Sequence, residues 1–250
     1  MKKLFYLSLM TGVLAVCCTV TACSSDKNDS GSEVKEKRLV RWTETRGSSA
    51  YNYFVDYNSK GQIVQVKLVL SSGSASSVNY AYENNKITKS SGSSTFTFTL
   101  SNGRIVTGAS SDFKYDEDGQ LISVTSSDKN TAQYEWSDGN IAKKTYSYDS
   151  SSEYMSCRYT YSEYSSSMLP QFSSIGEWVL ESQGFIGKRN RNLPSKVTTF
   201  DDDFFAYNNS STSYDYTIEG GVVTKVIATS TNSSGVVSTS TIDFIWEEAK

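Results

Sequence analysis

Histidine is absent from the 250 residues. That excludes Ser-His-Asp and Cys-His catalysis and every histidine-ligated metal site. Proline occurs twice and helix-forming residues are scarce. Four cysteines are present, and three of them, Cys17, Cys18 and Cys23, lie close to the N-terminus. The charge is mild, 24 basic against 27 acidic residues, a net of −3. This gives no basic patch of the kind that nucleic acid requires, so nucleic acid is not an expected partner. No apolar run reaches the roughly 20 residues that a membrane-spanning helix needs. What the chain does have is 45 Ser and 23 Thr, with 17 Tyr and 11 Phe. Thr, Val, Tyr and Phe favour strands, so the expectation is an all-β protein.

The N-terminus reads as an address. Lys2 and Lys3 precede an apolar run of 13 residues, Leu4 to Val16. That length suits the core of a secretory signal. Val20-Thr21-Ala22-Cys23 follows, small residues before a cysteine. These four residues resemble the lipobox of bacterial lipoproteins. The resemblance implies cleavage before Cys23 and acylation of that cysteine; the competing reading is an ordinary signal peptide with incidental cysteines. Acyl chains on Cys23 would make the membrane a partner, and two or more hold stably, at about 0.8 kcal/mol per buried methylene. Loss of residues 1–22 removes two lysines and no acid, leaving 22 basic and 27 acidic residues, a net of −5. Only Cys157 would then keep a free thiol, so no intramolecular disulfide can form. Residues 23–37 are the lipidated cysteine and a polar tether that cannot bury enough apolar surface to order itself. Its acids resemble, in part, the surface-export signal of some Gram-negative lipoproteins, interrupted by Lys27 and Asn28. The expected location is the outer membrane, exposed at the cell surface, with the periplasmic face as the alternative.

From Tyr51 a pattern recurs: an alternating aromatic strand, a turn of Asp, Asn, Ser or Gly, an aliphatic residue, then a second strand. Phe113-Lys114-Tyr115-Asp116-Glu117-Asp118-Gly119-Gln120-Leu121 is the clearest copy. Others are Tyr57 to Ile63, Tyr82 to Ile87, Leu100 to Ile105, Trp136 to Ile141 and Ile218 to Val223. Gly and Asn tolerate the positive φ of tight hairpin turns. In Thr95-Phe96-Thr97-Phe98-Thr99-Leu100 the apolar residues share one face and the threonines the other. One face is therefore buried and the other wet. About 14 strands fit between Arg38 and Glu247. So long a one-faced sheet must curl over its apolar face, as an open or closed barrel. Residues 38–250 are expected to form a single β domain. Between Met168 and Pro194 alternation stops. Ser174-Ile175-Gly176-Glu177 has capping-box spacing, and a short helix over 175–183 is expected to plug or cap the sheet.

The Tyr-x-Tyr-Asp-x-x-Gly-x-Leu spacing resembles the tyrosine-aspartate repeats of large secreted β shells. A lipobox, a Ser-rich meander, a late helix and Gly187-Lys188-Arg189 with Asn192-Leu193-Pro194-Ser195-Lys196 occur together. This combination resembles lipoproteins of Gram-negative gut bacteria that carry a domain of unknown function with a porin-like β fold. The resemblance covers roughly residues 38–250. It implies fold and location, and it brings no catalytic residue with it.

Candidate sites are few. Asp116-Glu117-Asp118-Gly119 would need a Glu at the twelfth position of a calcium loop, where Ser127 stands. It reads as a hairpin turn, and no metal or other cofactor is expected. Asp201, Asp202 and Asp203 form the densest acidic cluster, able to serve as paired carboxylates or as a solvated turn. Lys188, Arg189 and Arg191 form the one basic knot, a candidate for an anionic partner. Gly184-Phe185-Ile186-Gly187-Lys188 is too short for a phosphate loop. Cys157 reads as a small buried hydrophobe. Trp42, Trp136 and Trp178 offer stacking platforms if exposed, although aromatics usually serve the core first. Three functions compete: a non-enzymatic binding module for a glycan or a protein, a carboxylate-dependent glycan-active enzyme, and a membrane-spanning pore. The first is the expected one. Nothing in the sequence specifies an oligomer.

Overall fold

The computed structural model describes residues 36–149, 152–169, 177–201 and 209–249. Sixteen strands run in order around a closed antiparallel barrel. They are β1 (Lys37–Arg46), β2 (Ser49–Tyr57), β3 (Ile63–Leu70), β4 (Ala75–Glu83), β5 (Lys86–Ser91), β6 (Ser94–Ser101), β7 (Arg104–Gly108) and β8 (Ser111–Tyr115). The second half continues with β9 (Leu121–Ser126), β10 (Thr131–Ser137), β11 (Asn140–Tyr148), β12 (Ser152–Ser165), β13 (Asn192–Asp201), β14 (Ser210–Glu219), β15 (Val222–Thr231) and β16 (Val237–Glu248). β1 pairs with both β2 and β16, and this second pairing closes the ring. The sheet is thus closed, with sixteen strands where the spacing predicted about fourteen. The shortest strands, β7 and β8, five residues each, are joined at Ala109-Ser110, both at positive φ.

The turns form for local reasons. At Asn58, Asp116 and Asn232 a side-chain Oδ1 accepts the backbone N–H four residues on, from Gln62, Gln120 and Val236. Such side chains mimic a backbone turn. The glycine one residue before each of these donors has φ of 75°, 83° and 76°. Asp116 to Gly119 is therefore a hairpin turn. Among the described residues no group of three or more His, Cys, Asp or Glu lies close enough to hold a metal ion.

The core is a wheel near one mouth. Each odd strand contributes one aliphatic residue close to its start: Leu39, Ile63, Ile87, Ile105, Leu121, Ile141, Leu193 and Val223, none more than 4% exposed. The ends of the even strands supply the rim. The Tyr57, Tyr82, Tyr115, Tyr161 and Tyr216 hydroxyls and the Trp136 and Trp246 indole N–H groups each donate to a main-chain carbonyl of an earlier odd strand, at 2.6–2.8 Å. The acceptors are the carbonyls of Leu39, Ile63, Ile105, Leu121, Ile141, Pro194 and Val223. A bulge at Asp56/Tyr57, Lys114/Tyr115, Glu135/Trp136 and Thr160/Tyr161 turns the aromatic toward its acceptor.

A plug fills this mouth. It comprises a 3-10 turn (Ser166–Met168), the helix α1 (Trp178–Ser182) and the segment 183–191. Val179 and Leu180 of α1 are buried to 1% and 0% exposure. Phe185 stacks on Tyr82 with ring centres 5.7 Å apart, and its carbonyl accepts from Ile105 N–H. Lys188 N–H bonds the Gly119 carbonyl, Arg191 N–H the Gly139 carbonyl, and Asn190 Oδ1 accepts from Ile141 N–H. The plug lies so close to the wall that a Cβ at Gly187 would strike the Gly119 carbonyl and the Tyr115 ring. The helix is shorter than the expected 175–183. Glu177 stands at its N-cap without capping it, because the Glu177 carboxylate reaches Lys89 Nζ on β5 instead, at 2.5 Å. Ser174, Ile175 and Gly176 lie outside the described residues.

The outer wall carries charged side chains. Strand neighbours of the core residues point outward, and on mid-strand they include Asp112, Lys114, Gln133, Glu135, Asp215, Lys225 and Asp243. No helix among the described residues is long and apolar enough to cross a membrane.

Candidate functional site in the far half of the barrel

Beyond the plug the inner wall changes character. Residues that alternation aims inward are there largely half-buried, and several are polar. A cavity of about 510 Å3 lies on this wall across β14, β15, β16 and β1. Glu44, Arg46, Thr212, Tyr214, Ser230 and Ser240 line it. Glu44 Oε1 accepts from Arg46 Nε at 2.6 Å. That hydrogen bond and the nearby carboxylate charge hold the Arg46 guanidinium above its ordinary pKa. Arg46 also lies over Tyr51, 5.7 Å from the ring centre. The Thr212 and Ser230 hydroxyls are 2.8 Å apart. Burial pushes the Tyr214 phenol up. At the rim Tyr148, 47% exposed, stacks on Tyr154 with ring centres 3.9 Å apart.

Facing this space is the top of the plug. Trp178 is half-buried and meets Trp42 edge-on at 5.7 Å. Trp42 in turn stacks flat on Tyr53 at 4.4 Å. Lower down a charged group is sealed in. Glu181 is 2% and Lys144 7% exposed. Burial pulls the Lys144 ammonium down, and the charges of Cys157 and Glu181 oppose that. Lys144 Nζ lies over the Tyr146 ring at 4.6 Å and the Tyr134 ring at 5.4 Å. Burial lowers Arg189 as well, again opposed by Glu181. Arg189 Nη2 donates to the Ser166 and Leu169 carbonyls at 3.2 and 3.4 Å. A buried charge needs such partners, and this group ties the plug to the wall.

Two solved structures share this architecture at low identity. A porin-like protein from Bacteroides uniformis superposes with a TM-score of 0.64 at 16% identity, over 87% of this chain and 99% of that one. A porin-like protein from Bacteroides vulgatus gives 0.57 at 12% identity, over 84% and 99%. The fold is a porin-like barrel. No family model matches the chain, and no curated protein matches it.

The porin-like barrel separates most of the residues singled out from the sequence. Trp42 is 3% exposed, and its ring is engaged by Tyr53 and Trp178. Trp136 is a rim latch bonded to the Leu121 carbonyl. Trp178 is half-buried, at the start of α1. The basic knot is split. Lys188 and Arg191 are exposed at the plugged mouth, while Arg189 turns inward to the Ser166 and Leu169 carbonyls. Asp201 ends β13 opposite Met155. Asp202, Asp203 and Cys23 lie outside the described residues. Cys157 faces inward on β12 opposite Lys144, its Sγ 3.6 Å from Thr199 Oγ1. Glu44, Arg46, Tyr51, Tyr148, Tyr154 and Tyr214 were not anticipated. One signal was available: in Trp42-Thr43-Glu44-Thr45-Arg46 alternation carries two charged residues onto the inward face.

Proposed function

We propose that this chain is a lipidated, surface-displayed, non-enzymatic module that binds a glycan in the far half of its barrel. The observation that carries the reading is the 510 Å3 cavity, lined by an Arg-Glu pair, Tyr214 and a cluster of hydroxyls. A few converging polar groups against aromatic walls are what a small polyhydroxylated ligand needs. Tyr148 and Tyr154 at the rim add a stacking surface for a sugar ring.

Anchoring through Cys23 is compatible with this geometry. The chain enters β1 at the plugged mouth, the end opposite the cavity. A membrane-spanning pore is the weaker reading. Such a barrel needs an apolar outer band and a polar lumen, whereas this wall carries Asp112, Lys114 and Glu135 outward and packs apolar residues inward.

The test is a glycan array probed with residues 24–250 in detergent-free buffer, each hit titrated by tryptophan fluorescence. A saturable hit weakened at least about tenfold by Tyr214→Ala or Arg46→Ala supports the proposal, since loss of one good contact costs roughly 1.4 kcal/mol or more. A blank array with folded protein, or a hit unaffected by both substitutions, refutes it.

A further inference from the structure

A separate feature sits on the outer wall, at the seam where β16 meets β1. A register shift between Leu39 and Arg41 breaks the alternation of β1. An extra residue in one strand re-aims its neighbours. Arg38, Val40 and Arg41 all line one outer hollow of about 520 Å3, together with Phe54 and Ile245. Arg38 lies over the Tyr57 ring and Arg41 over the Phe54 ring, each 5.1 Å from the ring centre. Stacking covers a guanidinium's face and leaves its edge, where the N–H fork lies, to meet an oxyanion.

Arg41 Nη2 donates to Asn52 Oδ1 at 3.1 Å. The Nε atoms of both arginines are buried and donate to nothing. Asp56 and Glu247 also border the hollow. Among the described residues, however, neither arginine has a carboxylate within ion-pair distance. Elsewhere on the wall opposite charges do meet, as Lys143 with Glu153 at 3.3 Å and Lys225 with Asp243 at 3.8 Å. Beside the two arginines Phe54 and Ile245 are 36% and 49% exposed.

We infer that this hollow binds a carboxylate or phosphate group carried on an apolar or aromatic body. The terminal Nη groups take the oxyanion, by charge-assisted hydrogen bonds. Phe54, Val40 and Ile245 take the body. The two neighbouring acids disfavour large, highly charged anions and leave room for a compact one. This site is independent of the cavity inside the barrel.

The test titrates residues 24–250 with benzoate and with phenyl phosphate, followed by amide chemical shifts. Benzyl alcohol and inorganic phosphate are the controls that lack the charge or the body. Expected is saturation by both aromatic anions in the millimolar range, with the shifts confined to β1, β2 and β16. Benzyl alcohol does not saturate, and inorganic phosphate binds more weakly than phenyl phosphate. The tighter of benzoate and phenyl phosphate identifies the head group. Arg38→Gln and Arg41→Ala each weaken binding about tenfold, and Arg41→Lys, which keeps the charge but loses the fork, weakens it several-fold. No saturable binding, or binding indifferent to both substitutions in folded variants, overturns the site. Equal affinity for inorganic and phenyl phosphate overturns the apolar part of it. Should Arg41→Ala fail to fold, Arg38→Gln carries the same comparison.

Discussion

Five tyrosine latches can be compared with one another by the same substitution. In Tyr57→Phe, Tyr115→Phe and Tyr216→Phe a single hydroxyl is removed from a 2.6–2.8 Å bond to a main-chain carbonyl. A net hydrogen bond is worth about 1 kcal/mol. The Tyr82 hydroxyl does more: it donates to the Ile63 carbonyl and accepts from Gln183 Nε2 of the plug at 2.9 Å. The Tyr161 hydroxyl bonds the Ile141 carbonyl and also lies 3.3 Å from Asn190 Oδ1 of the plug. The Tyr161 hydroxyl has a single proton for these two acceptors and counts as one bond, so Tyr161→Phe should cost about 1 kcal/mol, whereas removing the Tyr82 hydroxyl loosens the wall and the plug together and Tyr82→Phe should cost about 2 kcal/mol. For a domain of this size those values translate to roughly 2–4 °C and 4–8 °C in Tm. The assay is urea unfolding of residues 24–250 by tryptophan fluorescence, with the slope m required to stay constant. The reasoning fails if all five variants stay within about 0.3 kcal/mol of the parent, or if Tyr57→Phe proves costlier than Tyr82→Phe, since ordinary hydrogen-bond losses exceed that margin.

Other expectations follow from the same structure. Glu181→Gln leaves Lys144 and Arg189 buried without the opposing charge and should cost about 3–5 kcal/mol in urea unfolding; a loss under about 1 kcal/mol would show that the group is not an electrostatic tie. Burial pushes Tyr57, Tyr82, Tyr115 and Tyr146 up to about 12. In the unfolded chain these phenols ionise near the ordinary value of about 10. Above that the unfolded chain holds fewer protons than the folded one, so stability present below pH 10 is lost as pH rises toward 12. Lys144 acts oppositely, adding stability as pH approaches its ordinary 10.5, but it is one group against four. Tyrosinate absorbance and circular dichroism should therefore change together, and tyrosinate appearing well before unfolding would contradict the burial of these rings. Gly108→Ala places a Cβ 2.7 Å from Phe98 Cα and should cost about 1–3 kcal/mol by overpacking, read by thermal melting against the parent protein, where an unchanged Tm would refute it.

Much of the wall could be read in advance because its signals are local. Asn102-Gly103 and Asp138-Gly139 announce turns, and both residues of each pair have positive φ. The alternation of Thr95 to Leu100 predicts which face is wet. The plug resisted because its contacts are not local. Glu177 looks like part of a capping box until Lys89, 88 residues away, takes its carboxylate. Lys188, Arg189 and Arg191 look like one basic surface because they are neighbours in the chain. The fold splits them, because Arg189 turns inward to the Ser166 and Leu169 carbonyls. The far cavity was hidden for a related reason. Its lining comes from the two ends of the chain, Glu44 and Arg46 on β1 and Thr212 to Ser240 on β14 to β16, which only closure brings together.

That closure has a consequence for how the chain reaches its final form. Arg38 pairs with Glu247, so the first and last strands must find each other across nearly the whole polypeptide. Until β16 is in place, β1 and β15 are two unpaired edges of ten residues each. Edges of that kind recruit other chains and aggregate. A product truncated before Val237 would keep fifteen of the sixteen strands and still be a sticky open sheet. A chain that folds as it is synthesised, with β16 emerging after the other fifteen strands, therefore passes through a vulnerable interval that ends only with this twelve-residue strand.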